Sequence, residues 1–403
     1  MKTEVLRENL YEKKKRLKKF ILRSKEKWNQ KPDRFYFHFL PIDNMKIVFD
    51  SYVGQGYSDN QKAIAQEILN QGLNYDLVFL SNDNCEFPMG IWKVNYGSRQ
   101  AMRELATANM WIFNTRVVRH PQKRKNQIYL QTWHGGYPLK QIEKQAEKKL
   151  DNVYISLAKE DGKITDAVIS SSSYLSEIYK KDFWLNENAE ILEYGVPKND
   201  VLFSNEYKKI INQSIREKYG ISNTAIIILY FPTFRNDGQL IHYNLDYKKV
   251  IDAFENLYNR EVVLLVRFHP NLVHRIGKSI VNSFDDNVIN VTDYPDASDF
   301  YCIADCMISD YSGVMLAFAL QKKPLFIYAN DAEEYAKERG FNELYDKLPC
   351  KKCKSNNDLV NEIINFDEEL YMRKLDEVFE YINSFDKGIA SQQTVEWIKK
   401  SME

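Results

Sequence analysis

Short apolar runs recur along most of this chain, each followed by a turn and then by a stretch with helical spacing. Residues 45–51 (MKIVFDS) form such a run and lead into the loop YVGQGYSDN; the helical stretch QKAIAQEILNQ follows, then the run 75–81. The alternation returns at 108–114, 126–136, 166–172 and 189–197. A second series begins near residue 222, with runs inside 224–235, 260–270, 287–293, 305–313 and 323–331. Apolar runs of this length, alternating with helices, predict parallel strands covered on both faces. A polar, Lys- and Asn-rich helical stretch, 204–221, separates the two series. The expected fold is α/β: two Rossmann-like, doubly wound parallel-sheet domains facing a cleft, preceded by a basic helix. The expected division is 1–33 for that helix, 34–205 and 206–385 for the two domains, and 386–403 for a C-terminal helix. Periodicity leaves open whether the last helices close the second domain or cross back to the first.

Residues 4–28 carry Leu6, Leu10, Leu17, Ile21 and Trp28 near helical spacing, and residues 1–28 hold eleven Lys and Arg against four Glu. This pattern reads as an amphipathic helix on an anionic membrane surface, where each basic residue contributes about 1 kcal/mol. A solvated helix packed on protein is the plainer alternative. Over the whole chain Lys+Arg and Asp+Glu are both 56, which argues against nucleic acid held by bulk charge. Five cysteines among 403 residues make no disulfide framework. No run approaches the roughly 18 apolar residues of a membrane span, and no signal-peptide core is visible. The expectation is a protein kept in the cytoplasm and touching the membrane only peripherally.

Open parallel sheets bind ligands at the carboxyl ends of their strands. Polar residues expected on those rims are Asp59 and Asn60, His134, Gly195 with Asn199 and Asp200, Thr233 and Arg235, Arg267 and His269, Asp293, and Asp310 with Ser312. His134 is followed by Gly135 and Gly136, which let a ligand or another backbone come close. Its imidazole can take a proton from a hydroxyl; a structural histidine at a strand end is the plainer reading. Arg267 and His269, two apart at a strand end, share a face and suit a phosphate, and Arg235 ends the neighbouring run similarly. Ser312 and Gly313 open an apolar helix whose free N–H groups could face an anion. Asp331, Glu333 and Glu334 form either a capped helix start or a ribose contact. Cys350 and Cys353 lack the further ligands that zinc requires, so no metal site is expected. Neither a Walker loop nor GxGxxG is present.

In order, the segments VFDSYVGQGYSDN, LQTWHGGYPLK, EYGVPKNDVL, ILYFPTFRND, VRFHP and VTDYPDASDFYCIADCMISDYSGVMLAFALQKKPLFIYANDAEEY resemble those of CDP-glycerol glycerophosphotransferases, over about residues 45–365. The resemblance implies a glycosyltransferase B type fold with the donor mainly on the second domain. It implies transfer of glycerol phosphate, or ribitol phosphate, from a CDP-activated polyol to a hydroxyl of a lipid-linked glycan acceptor. CMP is released, in teichoic acid or capsule synthesis at the cytoplasmic membrane face. His134 then matches the catalytic base and His269 a second essential histidine. Arg267, Asp310 and Ser312 fall in the donor phosphate segment, where Thr233, Arg235 and Gly313 are also expected. Asp59, Asn60, Gly135, Asn199 and Asp200 become candidates for the acceptor side or cleft, and Asp293 and Glu333 for ribose or base. No cofactor is expected beyond the CDP-glycerol or CDP-ribitol donor. Gly136 and Gly313 depart from the family's usual Thr and Ser. A short basic segment ahead of the catalytic module leans toward a primase or short transferase. Two alternatives stand beside this reading: a nucleotide-sugar glycosyltransferase of the same fold, and a non-catalytic membrane-bound scaffold. Association with further copies is left open.

Overall fold

The computed structural model describes residues 39–117, 120, 122–235, 240–268, 272 and 287–403. The basic stretch 4–28 and His269 lie outside the described residues. The first sheet comprises β1 (Asp43–Asp50), β2 (Asp76–Leu80), β3 (Ile91–Val94), β4 (Ala108–Phe113), β5 (Ile128–Gln131), β6 (Ala167–Ile169) and β7 (Glu190–Leu192), all parallel, in the order β3-β2-β1-β4-β5-β6-β7. Its helices are α1 (Asp59–Asn70), α2 (Arg99–Thr107), α3 (Asn152–Ile164) and α4 (Ser173–Asp182). After α5 (Asn205–Tyr219) the second sheet is built from β8 (Ile226–Tyr230), β9 (Val262–Val266), β10 (Val288–Asn290), β11 (Cys306–Ser309), β12 (Leu325–Tyr328) and β13 (Lys352–Cys353). These are also parallel, in the order β10-β9-β8-β11-β12-β13. With them run α6 (Tyr247–Tyr258), α7 (Ala297–Ile303), α8 (Val314–Ala319), α9 (Ala332–Glu338), α10 (Glu343–Lys347), α11 (Asn356–Ile364), α12 (Glu368–Ile382) and α13 (Ala390–Met402).

Continuous apolar strands arise because each face meets its own helix layer. In β8, Ile227 and Leu229 enter one core while Ile226, Ile228 and Tyr230 enter the other. In β1, Ile47 and Phe49 face one layer and Val48 the opposite one. The expected runs become strands, but β3 and β13 are additions: both are short, and their burial is partial. The CKKC motif makes the second of these, and its cysteines part company. Cys350 joins the core on one side of the second sheet and Cys353 the core on the other. No group of three or more metal-ligating side chains occurs among the described residues.

The last helix crosses back. Val395 and Ile398 of α13 are fully buried with Ile47, Ile64 and Ile68 of the first domain. Its first turn is held by Asp200, whose two oxygens accept from the N–H groups of Ala390 (3.0 Å) and Ser391 (2.7 Å). Just before it, Asp386 accepts from the Val196 N–H at 2.8 Å and from the Tyr137 hydroxyl. Gly195 must be glycine here: its φ is +88°, and a Cβ would lie 3.0 Å from the Asp386 Cα. No helix among the described residues is long and apolar enough to cross a membrane.

Candidate active site between the two sheets

In a doubly wound sheet a crevice opens where the strand order reverses. The reversal falls between β1 and β4 in the first sheet and between β8 and β11 in the second. The loops after these strands, together with the loop after β5, carry the residues that matter.

His134 follows β5. Its Nδ1 donates to the main-chain carbonyl of Asn114, after β4, at 2.9 Å. A carbonyl can only accept, so the proton is placed on Nδ1, and the neutral ring keeps its lone pair on Nε2. The ring lies against Trp133, centroids 4.3 Å apart, and near Tyr52 at 5.9 Å. His134 is exposed to water. The surrounding protein is nevertheless dense enough that desolvation, aided by the charges of Lys198 and Lys140, lowers its pKa from the ordinary value. The Asn114 carbonyl and Asp59 pull the other way and do not prevail. The imidazole is thus neutral at pH 7, as a proton acceptor requires.

Asp59 and Asn60 serve this loop from behind. Asn60 Nδ2 donates to the Trp133 carbonyl at 3.0 Å, and its Oδ1 accepts from the Lys198 N–H at 3.1 Å. Lys198 Nζ reaches Asp59 at 2.6 Å and the His134 carbonyl at 3.0 Å. Asp59 also accepts from the Tyr52 hydroxyl at 2.8 Å. Asn114 holds the Tyr52 N–H through its Oδ1 at 2.9 Å. Trp133 itself sits at φ +52°, a left-handed conformation that these contacts sustain. Behind the ring, the Arg116 guanidinium lies 5.5 Å from the Trp133 centroid and 3.9 Å from Phe183, paired at 2.8 Å with both Glu143 and Asp161. Gly135 has room for a side chain, its nearest neighbour being Trp133 Nε1 at 3.7 Å from a notional Cβ. Asn199 Nδ2 turns to Asp386 at 3.3 Å, and Asp200 caps α13. These two brace the C-terminal crossing.

On the second rim Arg235 and Asp310 meet across the strand reversal at 2.9 Å. Asp331 takes the guanidinium from another side, at 2.6 Å to Nε and 2.9 Å to Nη2. Burial would lower the Arg235 pKa, but the two carboxylates outweigh it and hold the guanidinium firmly charged. Asp310 also accepts the Thr233 N–H at 3.0 Å, and Tyr311 and Tyr335 flank the guanidinium at 4.8 and 5.0 Å. The expected phosphate ligand is therefore an arginine already neutralised by two acids. Arg267 donates through Nη1 to the carbonyls of Val291 (3.0 Å) and Tyr294 (2.6 Å), closing the turn after β10.

The expected helix start shifts by one residue. Gly313, not Ser312, occupies the N-cap of α8, which is only six residues long, and Ser312 Oγ reaches the Val314 N–H at a stretched 3.5 Å. Glycine is required at 313 because a Cβ there would stand 2.2 Å from the Tyr137 carbonyl of the first domain. Asp293 is exposed in the turn after β10. Glu333 points to solvent and pairs with Lys354 at 2.8 Å, leaving the inward position to Asp331.

The rims are tied together by the chain that leaves His134. Tyr137 and Leu139 are buried in the core of the second domain. Gln141 N–H donates to the Gly340 carbonyl at 3.1 Å, and Asn342 N–H to Leu139 at 2.9 Å, with its side chain on the Pro138 (3.1 Å) and Lys140 (3.0 Å) carbonyls. Farther along the cleft, Lys62 of α1 meets Asp296 at 2.7 Å. The His134 loop is thereby held in fixed register with the opposite sheet. Lys140, Asn114 and Tyr137 escape a reading of strand-end motifs, as does the pairing of Asp331 with Arg235, because their partners are distant in sequence.

Two parallel sheets whose strand-end loops face one another define a two-domain α/β architecture of the glycosyltransferase B kind. The chain belongs to the CDP-glycerol:poly(glycerophosphate) glycerophosphotransferase family, whose sequence pattern matches residues 34–400. It is 31% identical to the teichoic acid poly(glycerol phosphate) polymerase of Staphylococcus epidermidis strain RP62A, covering 89% of this chain and 52% of that protein. It thus spans about half the length of that polymerase. It is also 31% identical to the teichoic acid glycerol-phosphate transferase of Staphylococcus aureus NCTC 8325, over 90% of this chain and 94% of that one. The wall teichoic acid polymerase TagF superposes with a TM-score of 0.79 at 29% identity, covering 98% of both chains. A histidine-to-asparagine variant of TagF soaked with CDPG gives 0.77 at 28% identity over the same 98% of each chain. The Staphylococcus aureus MnaA–UDP structure, 14% identical with a TM-score of 0.53 over 88% of this chain and 96% of its own, shows the fold alone.

Proposed function

We propose that this protein transfers glycerol phosphate or ribitol phosphate from a CDP-activated polyol to a hydroxyl of a lipid-linked glycan, in teichoic acid or capsule polymer synthesis. The observation that carries the proposal is the bond between His134 Nδ1 and the Asn114 carbonyl, which leaves a neutral, solvent-exposed imidazole with Nε2 as a proton acceptor. The relatives' names and the CDPG-soaked TagF variant support the donor class.

In the step envisaged, the acceptor O–H gives its proton to His134 Nε2 while its oxygen bonds to the phosphorus that carries the polyol. The P–O bond to the second phosphate breaks, and CMP leaves with the bridging oxygen. The chain's own cationic groups, with main-chain N–H groups at the second rim, would stabilise the leaving phosphate without a resident cofactor. The basic segment 4–28 would keep the enzyme on the cytoplasmic face of the membrane, close to its acceptor.

The test is incubation of the full chain with CDP-glycerol and CDP-ribitol separately, with a lipid-linked disaccharide acceptor, followed by nucleotide analysis and product mass. CMP should appear together with a product heavier by a polyol phosphate unit. Release of a nucleoside diphosphate from a nucleotide sugar instead would establish sugar transfer. Donor binding without turnover on any lipid acceptor would establish a scaffold.

A further inference from the structure

Lys140 closes the LQTWHGGYPLK segment, yet nothing in the roles above uses its side chain. Its main chain is fixed to the second domain, bridging antiparallel to Phe341 and giving its carbonyl to Asn342 at 3.0 Å. The half-buried ammonium lies 5.8 Å from the Tyr335 ring. The charged groups facing it are Asp310 after β11, Arg235 after β8 and Arg339 after α9, and its own charge is felt at His134 after β5. Among the described residues Lys140 Nζ forms no hydrogen bond or ion pair, because Asp310 is already taken by Arg235. Desolvation accordingly lowers the Lys140 pKa to about 8.

A cation drawn out of water without a partner is costly unless an anion arrives. The anion must fit between an imidazole that activates a hydroxyl and a rim whose arginine is neutralised by two carboxylates. A phosphoryl group in transfer meets that description. A lysine suits it better than another arginine would, since a point charge with three rotatable donors can follow the phosphoryl oxygens as they move. Resting on the donor reading above, we infer that Lys140 Nζ binds the phosphate undergoing transfer, the one bearing the polyol, and is the cation that stabilises its oxygens between His134 and the departing CMP. The ammonium stays protonated throughout; the acceptor's proton goes to His134.

The experiment measures binding of CDP-glycerol and of cytidine to the full chain by calorimetry, for wild type, Lys140→Met and Lys140→Arg, between about pH 6.5 and about pH 9.5, a window that brackets the lowered value of about 8 and stops below the ordinary lysine pKa of about 10.4. Lys140→Met should weaken CDP-glycerol binding about tenfold, the scale of one charge-assisted contact, with cytidine affinity within about twofold of wild type. Wild-type CDP-glycerol affinity should decline above about pH 8, and Lys140→Arg should extend it to higher pH because its guanidinium does not titrate. Unchanged CDP-glycerol affinity in folded Lys140→Met overturns the assignment, as does an equal loss of cytidine affinity, which marks a structural role. If Lys140→Met does not fold, an alkaline decline in Lys140→Arg that coincides with wild type also overturns it. Wild type that binds cytidine but not CDP-glycerol sinks the donor reading itself.

Discussion

His134 and Arg235 illustrate how a side chain's neighbours decide what its charge can do. The imidazole is kept neutral by desolvation and oriented by one main-chain carbonyl. His134→Gln should therefore lower kcat by about 100-fold or more, the usual scale for a general base. The acid limb of wild-type kcat/KM should lie below the ordinary histidine range, activity being lost as pH falls through the lowered pKa and the base becomes protonated. A pH–rate profile with its acid limb near 7 would contradict this. Arg235 is instead the keystone of a buried ion cluster with Asp310 and Asp331. Removing it in Arg235→Met strands two carboxylates, and denaturant titration should show a loss of about 3–5 kcal/mol, the range for breaking buried pairs. A loss below about 1 kcal/mol, a surface-pair value, would mean that water already screens the cluster.

At the scale of elements, the short helix α8 and the segment 137–142 form one joint. Gly313 is the point of closest approach, and Gly313→Ala would set a methyl group 2.2 Å from the Tyr137 carbonyl. Since both backbones are anchored in one core, the substitution must widen the contact. The expected result is a fall in kcat of at least about tenfold, with cytidine binding little changed, because a small displacement of positioned groups costs rate steeply. In the C-terminal crossing, Asp200 holds two N–H groups of α13. Asp200→Ala should cost about 1 kcal/mol, the usual value of a lost cap, measured by thermal unfolding. The strands themselves were legible from their apolar runs. The edge strands β3 and β13 were not, since an edge of two to four half-buried residues leaves no periodic signal.

Across the whole molecule, the C-terminal crossing carries a titratable latch. Asp386 is buried against Tyr137, Val196 and Asn199, and desolvation raises its pKa from 3.8 to about 6. Between those values the native state holds a proton that the unfolded chain has released, so this group's stabilising contribution is fullest at low pH and is lost as pH rises. The shift corresponds to about 3 kcal/mol. Asp386→Asn should therefore gain stability relative to wild type by up to that amount as pH goes from 4 to 7, read from urea midpoints at both pH values. A constant difference between the two proteins would show that the carboxyl is not desolvated. Asp50, raised to about 7 by burial, acts in the same sense and is common to both proteins.

The amino-acid sequence by itself determined the strand-forming runs, the two-series α/β plan and the strand-end histidine at 134, because hydrophobic period and strand-end chemistry are local properties. It also determined the family, through six ordered segments. Only the tertiary structure decided that Asp331 rather than Glu333 turns inward, that Asp59 and Asn60 support the His134 loop from behind, and that Arg235 is spoken for by two acids. It alone decided, too, that α13 returns to the first domain and that Lys140 reaches the opposite rim. Each of these depends on which distant segments share a space, and hydrogen bonds and desolvation act only once they do.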